Sequence, residues 1–125
     1  MLKAIAIASA LLLSGPALAQ HAHGAQKGPN GGPMEDVAGV HAELVVSGQA
    51  VTVNVFDEAG KPLDTTGYTG SAMIVSGSDR KTLQLAASGN ALTGQAAAPV
   101  AKGAAITLVV KTAAGKSGQA KFSAP

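Results

Sequence analysis

From Val40 onward the chain repeats one device. A short run alternates apolar and polar residues, and a turn of Gly, Asn, Asp or Ser follows. Val40 to Ser47 puts Ala42, Leu44 and Val46 on one face and His41, Glu43 and Val45 on the other. The next run puts Val51, Val53 and Val55 inward, with Thr52 and Asn54 outward. Period-2 patterning rich in β-branched residues is the signature of a half-buried strand. Read this way, residues 40–47, 49–57, 68–76, 81–87, 91–97, 106–111 and 118–122 are strands. Seven short strands with closely spaced turns predict an all-β domain, a small antiparallel immunoglobulin-like β-sandwich. The best helical candidate, residues 95–105, is interrupted by Pro99 and Gly103 and reads as a loop or irregular edge.

The core available to such a fold is built from small side chains. Hydrophobic residues make up 46% of the 125-residue chain but aromatics only 2%. Val, Leu, Ile and Ala each bury little area, at roughly 25 cal/mol per Å², so a modestly stable single domain is expected.

Residues 1–19 read as a secretory signal. Lys3 supplies the positive end, residues 4–13 the apolar stretch, and Ala17-Leu18-Ala19 a small-residue cleavage site. The apolar stretch is shorter than the ~20 residues that span a bilayer, and no second one follows, so no stable membrane insertion is expected. The expected mature chain starts at Gln20, outside the cytoplasm, periplasmic or secreted. Residues 20–32 (QHAHGAQKGPNGG) are polar and glycine-rich and read as a flexible tail ending in a turn. Residues 33–125 are then the β domain.

Several functions lose support on composition. The formal charge is +2, or +1 without Lys3, with no basic run and few aromatics, so no nucleic-acid partner is indicated. The chain has no cysteine, which removes disulfides, thiolate metal sites and a cysteine nucleophile. No serine sits in a nucleophile elbow. Glycines read as turn residues, with no phosphate-cradling loop. Asp57, Glu58, Asp64 and Asp79 sit where turn-formers belong. An enzyme is not expected.

The sharper expectation is binding of a transition metal, copper or zinc. His21 and His23 lie close to the expected new N-terminus, where two imidazoles near an amine can chelate a borderline metal. They stand second and fourth, not third as the amino-terminal copper motif requires, and cyclisation of Gln20 would remove the amine. The plain alternative is a polar leader. A second grouping is His41 with Glu43, on one strand face ~7 Å apart. Asp36, Glu35 or Met34, or the histidines of the tail, would have to complete a tetrahedral set. The plain alternative here is a strand histidine paired with an acid. Met34 could serve Cu(I), whereas Met73, beside Ile74 and Val75, reads as core.

The residues Gly28-Pro29-Asn30-Gly31-Gly32, then the strand from His41 to Val46, then Asp57, Gly60, Lys61 and Pro62, form a recognisable series. It resembles the small N-terminal β domain of periplasmic adaptor subunits of cobalt–zinc–cadmium-type efflux systems. It is also similar to small free-standing periplasmic proteins with the same pattern. The resemblance runs from about Gly28 to Phe122 and rests mostly on turn chemistry. It implies a metal-resistance setting, with a heavy-metal efflux component as partner, and makes His41, His21 and His23 the suspects. The helical hairpin, lipoyl-like domain and barrel of a full adaptor are missing from this chain, so bridging a pump to an outer channel is not expected of it. The rival expectation is a structural or interaction module of the cell envelope with no metal role.

Overall fold

A computed structural model describes residues 26–125. The expected signal, His21 and His23 lie outside the described residues.

Eight strands are present among the described residues, and no helix. They are β1 (Met34–Val37), β2 (Val40–Ser47), β3 (Ala50–Phe56), β4 (Thr69–Ser76), β5 (Asp79–Ser88), β6 (Ala91–Gln95), β7 (Ala105–Lys111) and β8 (Ser117–Ser123). All seven ladders are antiparallel, in one sheet of order β1-β2-β3-β6-β5-β4-β7-β8. The end strands β1 and β8 touch, so the sheet is nearly closed. Residues 96–104, the alanine-rich stretch, form no regular element.

The eighth strand is the unexpected one. Met34-Glu35-Asp36-Val37 is too short and polar to show period 2. It is made a strand by its hairpin: Val37 pairs with Val40 across Ala38-Gly39. Both turn residues have positive φ, 51° and 82°, the arrangement of a type I′ turn, whose twist matches that of antiparallel strands. The turn is also where the sheet closes. A Cβ on Gly118 of β8 would lie 2.6 Å from the Ala38 nitrogen, so only glycine lets the two ends meet.

The core follows the alternation. Ala42, Leu44, Val51, Val53, Val55, Leu92, Ile106, Leu108 and Val110 are all buried and form one cluster with Ala72, Leu85 and Phe122. Long β5 divides its pairing: Asp79 to Leu85 pairs with β4, and Ala86 to Ser88 with β6. It thereby joins the two halves of the sheet. Three glycines fall inside strands, at positions 70, 94 and 118, not at turns. Met73 is not in the core cluster. It is half-buried on the opposite face from buried Ala72, paired with Thr82 and Thr107.

Candidate metal centre

The β1–β2 hairpin gathers the sequence candidates. Directly opposed residues of an antiparallel pair point to the same face. Met34 opposes Glu43 and Asp36 opposes His41, so all four stand on the outer face, away from Ala42 and Leu44. Glu35 opposes core residue Ala42 and faces the other way.

Asp36 and His41 are in contact. The Asp36 carboxylate Oδ1 meets His41 Nδ1. The pair is open to solvent, Asp36 at 79% side-chain exposure and His41 at 29%. Nε2 of His41 has no hydrogen-bond partner among the described residues. A carboxylate on one ring nitrogen fixes the tautomer and ring orientation and leaves the other nitrogen as the available lone pair.

Glu43 behaves differently from the expectation. Alternation puts it beside His41 on the face opposite Ala42 and Leu44, yet it is fully buried. The reason is the Gly28–Gly32 turn, which lies over it. Asn30 N–H donates to Oε2 at 2.8 Å, Asn30 Nδ2 donates to Oε1 at 2.8 Å, and Gly32 N–H donates to Oε2 at 3.0 Å. These are charge-assisted bonds, about twice as strong as neutral ones. The carboxylate is thus engaged by the chain's own N–H groups.

The turn is shaped for this. Gly28 N–H donates to the Gly32 carbonyl and Gly31 N–H to the Gly28 carbonyl, while Gly31 has φ of 80°. A Cβ on Gly28 would overlap the Glu43 carboxyl group, and one on Gly32 would overlap the Leu44 carbonyl oxygen. Lys27 pairs with Pro33, and Met34 N–H donates to the Gln26 carbonyl. Residues 26–32, expected in the flexible tail, are therefore fastened to the hairpin. Sequence reasoning missed Gly28, Asn30 and Gly32 as a unit. The available signal was a lone acid in the strand HAELVV downstream of a turn with three glycines and an asparagine.

Among the described residues, no three His, Asp or Glu side chains converge as a metal cage. What the hairpin offers is one oriented imidazole and its carboxylate partner. Among the described residues no helix is long and apolar enough to cross a membrane. No protein-family model, curated protein or solved structure matches this chain.

Proposed function

We propose that this is an exported protein, periplasmic or secreted, that binds or buffers a transition metal, copper or zinc, in a metal-resistance or efflux setting. It is a binder and not an enzyme. The observation that carries the reading is the Asp36–His41 pair, with Nδ1 engaged and Nε2 without a partner among the described residues. Histidine ligands of metals usually have this second partner, and losing it costs about 10–100-fold in affinity. One imidazole is not a site, so His21 and His23 complete the set in this reading, with Met34 on the same face as a soft ligand for Cu(I). The tail starts from Gln26, which is fastened to Met34. His23 is three residues further back, and an extended chain covers about 3.5 Å per residue. That reach is comparable to the two strand spacings, about 4.8 Å each, that separate the fastened tail from β2. Glu43 holds the turn and does not ligate. The two halves of the sheet joined by β5 act as the layers of a small immunoglobulin-like sandwich behind the hairpin.

Titration of the protein with Cu(II) and Zn(II) tests this. Affinity should fall at least tenfold in His41→Ala, and by a comparable factor in the double variant His21→Ala/His23→Ala. Binding should also weaken in acid, because protons compete with the metal for the imidazole lone pair. Micromolar or weaker affinity that both variants leave unchanged would remove the histidines from the account.

A further inference from the structure

The β4–β5 hairpin carries a different feature, an open sheet edge beside a cleft. β4 and β5 are joined by a two-residue turn, Gly77-Ser78, with Ser76 opposite Asp79. In such a hairpin the closing pair exchanges hydrogen bonds, and every second pair after it does the same. The N–H and C=O groups of Asp79, Lys81 and Leu83 therefore point to β4, and those of Arg80, Thr82 and Gln84 point away from it. On that side β5 pairs with β6 only from Ala86 onward. Gln84 sits at the fork, where a Cβ on Gly94 of β6 would lie 2.9 Å from its carbonyl oxygen. Beyond the fork, neither Arg80 nor Thr82 makes a main-chain hydrogen bond on this side among the described residues.

The gap so opened is a cleft of about 230 Å³. Ile74 and Leu83, with Asp79 and Lys81 nearer the turn, line one wall, and Pro99 and Val100 of the alanine-rich loop line the other. The loop is held off β5 because Ala96 and Val100 donate to the carbonyls of Gln49 and Gly48. Exposed Arg80 and Lys81 outnumber the acid Asp79 along this edge.

We infer that the open edge of β5, from Arg80 to Gln84, accepts an extended acidic peptide segment of a partner protein as an added strand. Main-chain bonds to Arg80 and Thr82 would hold the segment. Alternate apolar side chains would enter the cleft on the face of Leu83, and the acidic ones between them, on the opposite face, would meet Arg80. This division of labour is that of β-strand addition. Basic residues on an edge also serve to keep edges apart, but a guard alone does not require a cleft beside the open groups. The inference is independent of the metal reading.

The test is amide-resolved NMR of the labelled protein with the probe acetyl-Glu-Val-Glu-Val-Glu-amide, against the same peptide with Lys in place of Glu. The acidic probe should shift the amides of Arg80, Thr82 and Gln84 and bind at least tenfold tighter than the basic one. Thr82→Pro removes one of the open N–H groups at a position where an edge tolerates proline, and should abolish binding while the other amides keep their shifts. The variant Arg80→Glu should reverse the preference between the two probes. Absence of shifts with the acidic probe, or equal binding of both probes, overturns the proposal. Shifts at these amides that grow with protein concentration alone would assign the edge to a second copy of this chain and overturn it as well.

Discussion

Asn30 grips Glu43 with both its backbone and its side-chain N–H groups, across thirteen positions of sequence. That contact turns a glycine-rich segment into part of the sheet, and it explains how one carboxylate can stand fully buried in this small domain. The carboxylate accepts three N–H bonds inside the protein in exchange for its water.

Glu43→Gln should therefore destabilise the fold by about 1–3 kcal/mol, since a neutral amide brings its own donors to a place that supplies only donors. Chemical denaturation measures the loss. Amide exchange at Asn30 and Gly32 should accelerate in the variant before exchange in β3 and β7 does.

The two glycines at the end of the turn should differ. At Gly32 a methyl group meets the Leu44 carbonyl oxygen, main chain that cannot swing aside. At Gly31 a methyl group meets nothing within 4 Å, and only the positive φ opposes it. Gly31→Ala should cost about 1–2 kcal/mol, the ordinary left-handed penalty. Gly32→Ala should cost more, and should release the turn. Melting curves of the two variants rank them.

Thr65 is fully buried in the crossover between β3 and β4. Its Oγ1 lies 2.9 Å from the carbonyl oxygens of both Gly89 and Ala91, so its one proton is shared between them. Thr65→Val keeps the shape and removes the donor. A loss of about 1–2 kcal/mol is expected, measurable by denaturation.

Asp64 gives the fold a small acid sensitivity. The hydroxyl and backbone N–H groups of Thr66 hold its carboxyl below the ordinary range, against a slight opposing effect of burial. A carboxyl with a depressed folded-state pKa adds stability above its unfolded value, and that contribution fades as pH falls through the folded value. Asp64→Asn should thus be less stable than the parent near neutrality, and the gap should close below about pH 4, the ordinary aspartate range. Stability curves of both proteins against pH check the sign.

Much of the fold is legible because its strands alternate cleanly. Val51, Val53 and Val55 enter the core together, as do Ile106, Leu108 and Val110. β1 is not legible, because four mostly polar residues carry no period and their partner is chosen by the turn at Ala38-Gly39. The strand order is equally hidden: β6 inserts between β3 and β5, a choice made by packing among similar small residues. At the candidate centre, spacing places His41 and Glu43 on one face, and the structure keeps them there. Their separation into a solvent-facing imidazole and a buried carboxylate depends on residues 28–32 folding back, a contact that strand periodicity does not encode.

The most direct measurement is the imidazole nitrogen spectrum of His41 during Zn(II) titration. The account predicts that Nε2 shifts on metal binding while Nδ1 keeps its proton and its bond to Asp36, and that Asp36→Asn lowers the affinity about 10–100-fold. Zinc binding that leaves the His41 nitrogens unmoved, or no binding at all by the protein, would contradict it.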